Sequence, residues 1–349
     1  MNSRERVLAA LRHEEPDRIP ISFPYEIPEL LLARYGKSGE GIPIRQDTRE
    51  PWMCWPGPPP DARERWFADA DLPADATFDA FGVARWHGGD GLSHGILGPL
   101  RNATTVAEID AFPWPKPLMD ENYTGAIEEA RQAGQAVIGN AGSLFEHAWY
   151  LFGMENFFEA LCGEPELAEA MVEHLAAMYV PHARALAEAD VDILAVHDDI
   201  AGQLGMMVSP ATWRRLIKPR FAAIIAAARE VKPDMPVFYH TDGNPSAVID
   251  ELIEIGVTIL NPVQPEAIDP FEVKKRYGSL LTLWGAVGTQ SMMPHGSPED
   301  VRRTVREYCE VLGKGGGFVI GPTHAIKEDV PWANIEAFYR AVEEFGVYR

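Results

Sequence analysis

Six short apolar runs, each breaking off in polar residues, constrain the fold of this chain more than any other feature. Ala136 to Ala141 carries Asn140 at its end, and Ile193 to Asp199 closes in His197, Asp198 and Asp199. Val237 to Asn244 carries His240 and Asp242, and Thr258 to Gln264 carries Asn261 and Gln264. Leu281 to Gln290 holds Trp284, Thr289 and Gln290, and Phe318 to His324 finishes in Thr323 and His324. Between them lie apolar residues at helical spacing, such as Trp213, Leu216, Ile217, Phe221, Ile224 and Ile225, or Val301, Val305, Tyr308 and Leu312. Ser209-Pro210, Ser297-Pro298 and Val330-Pro331 mark helix starts. Strands alternating with helices build a parallel sheet, and polar residues at one end of every strand describe the mouth of a barrel. The expected fold is α/β: a (β/α)8 TIM barrel, one domain over residues 1–349, with an N-terminal extension and a long Pro-rich loop.

The N-terminal third is less regular. A helix from Ser3 to Leu11 precedes a strand at Ile19 to Phe23, and a second helix is expected near Pro28 to Tyr35. Pro51 to Asp61 is too rich in proline to be anything but an extended loop. Its Trp52 and Trp55 suit either a lid or wall over the barrel mouth, or a surface loop anchored by two indoles.

A net charge of −21 argues against nucleic acid or an anionic membrane surface as partner, which leaves small molecules and proteins. Cys54, Cys162 and Cys309 form no CxxC pair, the pattern of a reducing compartment. No apolar run reaches the ~18 residues of a membrane span, and Met1 to Glu15 lacks a signal-peptide core. A cytoplasmic location is expected.

Residues i and i+2 of a strand share a face about 6.6 Å apart, so His240 and Asp242 can converge on one ion or one substrate. With His324 they would hold Zn²⁺ or another divalent ion and leave a coordination position open; without metal they would be hydrogen-bonded rim residues. Adjacent carboxylates repel, so either Asp198 or Asp199 is exposed, paired or raised in pKa, and a raised one could serve as a general acid. The alternative for that pair is a turn cap. Glu146, at another strand exit, suits a metal ligand or a general acid or base. Gly315-Gly316-Gly317 lacks the Walker pattern and reads as a turn, and no GxSxG or dinucleotide fingerprint occurs.

The opening Ser3-Arg4-Glu5-Arg6-Val7-Leu8-Ala9-Ala10-Leu11 with Glu15-Pro16-Asp17-Arg18-Ile19-Pro20 resembles the uroporphyrinogen decarboxylase superfamily. So do Asp198-Asp199, Ser209-Pro210, Lys218-Pro219-Arg220, His240-Thr241-Asp242-Gly243-Asn244, Asn261-Pro262-Val263-Gln264-Pro265, Trp284-Gly285 and the closing Gly316 to Ile335 region. The resemblance implies a (β/α)8 barrel with its pocket at the C-terminal strand ends. It also implies one of two activities, metal-free decarboxylation of a porphyrinogen or zinc-dependent methyl transfer involving a corrinoid carrier. The decarboxylases of that superfamily carry an arginine-rich stretch where this chain has Ile21-Ser22-Phe23-Pro24-Tyr25-Glu26. Binding a polyanion without it would be costly at this net charge.

The methyltransferase branch uses His-x-Cys-Gly and a later Cys as zinc ligands, and the matching positions here are His240, Asp242 and His324. Both thiolates are replaced by other ligand types, which opens the site to ions besides zinc. The resemblance therefore implies a metal-dependent methyltransferase acting on a small O-, N- or S-methyl donor, with cobalamin on a partner corrinoid protein as acceptor. In it Glu146, Asp198 or Asp199 would be a further ligand or proton donor, and Asn140, Asn261, Gln264, Trp284 and Gln290 would bind substrate. The alternative is a carboxy-lyase acting on a smaller acid.

Overall fold

A computed structural model describes residues 1–23, 46–51, 53–87 and 94–348. The central sheet comprises β1 (Thr48–Arg49), β5 (Ala136–Asn140), β6 (Ile193–His197), β9 (Val237–His240), β10 (Ile259–Asn261), β11 (Thr282–Val287) and β12 (Phe318–Pro322). These seven strands run parallel and lie side by side in chain order. β2 (Thr77–Phe78), β3 (Ala84–His87) and β4 (His94–Leu97) form a separate antiparallel sheet, and β7 (Ala201–Gly202) pairs with β8 (Gly205–Met206) as a hairpin.

Period-two alternation divides the strand residues between two apolar clusters. Ala136, Ile138, Ile193, Ala195, Phe238, Ile259, Trp284 and Val319 pack together with Val7 on the concave face. Val137, Leu194, Val196, Val237, Tyr239, Leu260, Leu283, Phe318 and Ile320 belong to the larger cluster shared with the helices. A parallel sheet buried on both faces needs such nearly continuous apolar strands.

The segment around Ile21 is bonded to both edges of the sheet. Ser22 N–H donates to Ile320 O at 3.0 Å and Ile320 N–H to Pro20 O at 2.9 Å, while Asp47 N–H, just before β1, donates to Ile21 O at 2.8 Å. Gly321 makes the first approach feasible, since a Cβ there would lie 1.9 Å from Ser22 O. Asp47 is buried, accepts from Ile21 N–H at 2.8 Å, and is ion-paired with Arg6 at 2.7 Å and Arg18 at 3.0 Å. A buried carboxylate is tolerable only when paired in this way.

The helix Ser3–Leu11 forms with the expected bounds, capped by Asn2. The run from Trp213 to Ile225 is two helices, Pro210–Leu216 and Lys218–Arg229, rather than one. Pro219 has no N–H to donate and suits a first turn, so it restarts the helix. The expected helix near Pro28 to Tyr35, the Pro24 to Glu26 half of the Ile21 to Glu26 stretch, and Trp52 lie outside the described residues. All three cysteines are free, and no helix among the described residues is long and apolar enough to cross a membrane.

Candidate functional site

Three inner-face residues end neighbouring strands in register: His197 of β6 pairs with His240 of β9, which pairs with Asn261 of β10. His240 Nδ1 lies 2.6 Å from Asn261 Oδ1. With an amide oxygen as acceptor, Nδ1 carries the proton, and the Nε2 lone pair is left free on the side of Asp199 and Asp242. Nε2 stands 3.9 Å from Asp199 Oδ1 and 4.0 Å from Asp242 Oδ1. Asp199, His240 and Asp242 each offer a donor atom, all within 4.8 Å of one another. Donors bound about 2.1 Å from one ion stand roughly 3–4 Å apart, so the two His240–carboxylate distances fit a single divalent cation, on which the carboxylates would close slightly. One imidazole and two carboxylates suit zinc and harder divalent ions alike.

Asp242 reaches this group from a loop, not from strand alternation, because β9 ends at His240. Its N–H donates to Asp199 Oδ1 at 2.8 Å, and the N–H of Gly243 donates to Gln264 Oε1 at 2.9 Å. Gly243 has φ +81°, and a Cβ there would fall 2.4 Å from Gly202 O, so the turn fits under the β7–β8 hairpin only with glycine. Burial pushes the Asp242 carboxyl up and the His324 imidazole down. The His324 ring centre lies 6.4 Å from that of His240, beside the three-residue group rather than within it.

The two adjacent aspartates, both just past the end of β6 at His197, go to different places: Asp199 joins His240 and Asp242, and Asp198 packs against the start of a helix. Asp198 is wholly buried, accepting from Ser143 Oγ at 2.7 Å, Glu146 N–H at 2.9 Å and Phe145 N–H at 3.1 Å. It anchors the start of the helix Phe145–Phe152. Burial pushes its carboxyl up to about 7, against those three hydrogen bonds. Glu146 is raised by burial, receives the Tyr150 hydroxyl, and feels the charges of Asp199, His240 and His197.

A cavity of about 500 Å³ opens on the inner face, lined among others by Glu50, Tyr123, Asn140, His197, Phe238, His240, Asn261 and Trp284. Of the five residues expected to bind substrate, Asn140, Asn261 and Trp284 reach it. Gln264 instead holds the Gly243 turn, and Gln290 is exposed, accepting from Gln203 at 2.7 Å. Pro51 and Cys54, at the start of the Pro-rich loop, form part of the cavity wall. Trp55 is anchored on Phe81, with ring centres 4.9 Å apart.

Sequence reasoning missed Glu50. It follows a two-residue strand, too short for any periodic signal. Glu50 Oε1 lies 3.1 Å from Asn140 Nδ2 and 3.0 Å from His197 Nε2. Burial opposes charge on both members, yet their attraction prevails: the Glu50 carboxyl is held low and the His197 imidazole high.

The chain is similar over 68% of its length, at 23% identity, to a methylated-thiol–coenzyme M methyltransferase of Methanosarcina mazei, and the match spans 62% of that protein. At 23% identity it also matches a methylcobamide:CoM methyltransferase MtaA of Methanosarcina barkeri, over 68% of both chains. A uroporphyrinogen decarboxylase of Thermus thermophilus is 26% identical over 71% of each. A solved methyltransferase from Methanosarcina mazei has the same fold, with a TM-score of 0.68 over 99% of both chains at 18% identity. Residues 99–345 match the uroporphyrinogen decarboxylase (URO-D) family and include every sheet strand from β5 to β12. The strands that carry His197, His240 and Asn261 are thus the family's own, and the chain belongs to the uroporphyrinogen decarboxylase family.

Proposed function

We propose that the protein is a metal-dependent methyltransferase that moves a methyl group from a small O-, N- or S-methyl compound to a corrinoid carrier. The observation that carries this reading is the contact of His240 Nδ1 with Asn261: the amide oxygen accepts the Nδ1–H hydrogen bond and leaves Nε2 facing two carboxylates. Asp199, His240 and Asp242 would hold a divalent ion, with His324 beside them as the further donor. The bound ion would supply Lewis acidity toward the donor's heteroatom. The bond from methyl carbon to heteroatom breaks with its electron pair left on the heteroatom, and the electron pair of cobalt(I) forms the new bond to methyl. Glu146, raised by burial and hydrogen-bonded by Tyr150, would give the leaving atom a proton.

Relatives named as methyltransferases support the reaction class, and the relative named methylcobamide:CoM methyltransferase supports a corrinoid partner, which in that protein's name is the methyl donor. The hydrogen bonds from the Ile21 segment to both sheet edges support a closed eight-stranded barrel forming one domain over 1–349. A carboxy-lyase acting on a smaller acid, with Asp198 or Asp199 as the acid, is the weaker reading, because Asp198 is spent on a helix start and Asp199 belongs to the cation-binding group.

The test is incubation of the metal-loaded protein with cob(I)alamin and a panel of methoxyaromatics, methylamines and methyl thioethers. Methylcob(III)alamin should form with at least one donor. Carbon dioxide release from a carboxylic acid, with no methyl transfer across the panel, would replace this reading with the lyase.

A further inference from the structure

We infer that the methyl donor is an aryl methyl ether whose ring also carries a hydroxyl group, an inference that rests on the methyl-transfer reading. The inner-face cavity of about 500 Å³ is walled by Phe238 and Trp284, whose rings meet edge to face at 5.2 Å. Cavities of several hundred Å³ take molecules of roughly a dozen or more heavy atoms. A one-carbon donor such as methanol or methylamine would leave most of that apolar wall untouched. An aromatic ring fills it and gains offset or edge contacts with both side chains.

A buried polar atom on the same wall points to the second substituent. Tyr123, 3% exposed, has a hydroxyl without a hydrogen-bond partner among the described residues. His197, by contrast, is paired with Glu50, its Nε2 3.0 Å from Glu50 Oε1. A buried polar group left unpaired calls for a partner, and a ligand in the cavity would supply one to Tyr123. Glu50 is near enough to Tyr123 for its charge to act on the phenol. A ring carboxylate there would face Glu50 and be repelled, whereas a hydroxyl can accept from Tyr123 and donate to Glu50. His240 lines the cavity and belongs to the cation-binding group, so the methoxy end of the ring belongs beside it. In the reaction the methyl C–O bond breaks, and the ether oxygen keeps the electron pair and leaves as an aryl oxide that then takes a proton. The methyl joins cobalt(I) of the corrinoid.

The experiment is calorimetric titration of the zinc-loaded protein with 2-, 3- and 4-methoxyphenol, methoxybenzene, methanol and methylamine, each then assayed for methylcobalamin by absorbance. At least one methoxyphenol should bind at least tenfold more tightly than methoxybenzene. Tyr123→Phe, which removes only an unpaired hydroxyl and keeps the ring, should erase that difference and leave methoxybenzene binding unchanged. Ala126→Phe, on the cavity wall, should weaken both aromatic ligands. Methyl transfer from methanol or methylamine with no binding of any methoxyphenol would overturn the inference and leave methyl transfer standing. An undiminished preference in Tyr123→Phe would overturn it too. Tyr123-dependent binding without methylcobalamin would uphold the ligand class and overturn the methyl-transfer reading.

Discussion

Asn261 Oδ1 accepts a hydrogen bond from His240 Nδ1 at 2.6 Å, across two strands whose register pairs these residues directly. The contact fixes both the ring plane and the tautomer of His240, so the nitrogen on the side of Asp199 and Asp242 is the one able to bind a cation. Outer partners of this kind orient a metal-binding imidazole and raise its basicity.

Replacing Asn261 with Leu should therefore weaken divalent-ion binding by about 10–100-fold, the usual cost of losing such a partner. Asn261→Asp retains an acceptor and should stay close to the wild type. Competition dialysis with a chromophoric chelator measures both; equal affinity for Zn²⁺ in Asn261→Leu and wild type would detach Asn261 from the site.

The ligands themselves should separate by position. His240→Ala is expected to lose the ion on dialysis, and His324→Ala to bind it at least tenfold more weakly, while both keep the wild-type circular dichroism spectrum. Strand-end residues contribute little to the apolar clusters that hold the sheet. Elemental analysis of the dialysed variants decides. A full equivalent of metal in His240→Ala, or unchanged affinity in His324→Ala, would remove that residue from the ligand set.

The fold was legible because the inner and outer clusters follow strand alternation, which the apolar runs record directly. Strand lengths were overread: Thr258 to Gln264 contains a strand only at Ile259–Asn261, since polar residues after a strand look continuous with it. The split between Asp198 and Asp199 was not legible, because both lie past the end of β6 at His197, where strand periodicity no longer applies. Neither were Glu50 and the β2–β4 sheet, because they come from short segments whose placement depends on distant pairing; Tyr123 sits in the regular helix Glu121–Gln132, where spacing marks it only as a core residue. The Gln264 role was hidden for a similar reason, as its partner, the Gly243 N–H, lies on another loop.

Stability should fall as pH drops from 6.5 to 4. His182 is buried, within 3.2 Å of Asn140 O, and burial holds its imidazole down to about 4 from an ordinary 6.5. Between those values the unfolded chain binds a proton that the folded chain does not, so acid favours unfolding through that window and has no further effect from this group below it. The contribution amounts to about 2 to 3 kcal/mol at pH 4.5. His182→Gln keeps a donor but does not titrate. Urea midpoints at pH 7 and 4.5 should therefore separate more in the wild type than in the variant; equal separations would place the acid sensitivity elsewhere.

Gly321 is where the sheet's last strand meets the Ile21 segment, and the absent Cβ is what allows it. A methyl group 1.9 Å from Ser22 O meets backbone, not the end of a flexible side chain. Gly321→Ala must therefore push residues 20–22 off β12 and strain the Ser22 and Ile320 hydrogen bonds. The expected loss is about 1–3 kcal/mol, the range for overpacking a tight site. Gly125→Ala serves as the control, since nothing lies within 4 Å of its Cβ in the helix Glu121–Gln132. It should be neutral or gain up to about 1 kcal/mol. Because β12 leads directly to Thr323 and His324, the displacement should also lower Zn²⁺ affinity in Gly321→Ala, whereas Gly125→Ala keeps it. Equal denaturation midpoints for Gly321→Ala and wild type would mean that the Ile21 segment does not brace the edge of the sheet.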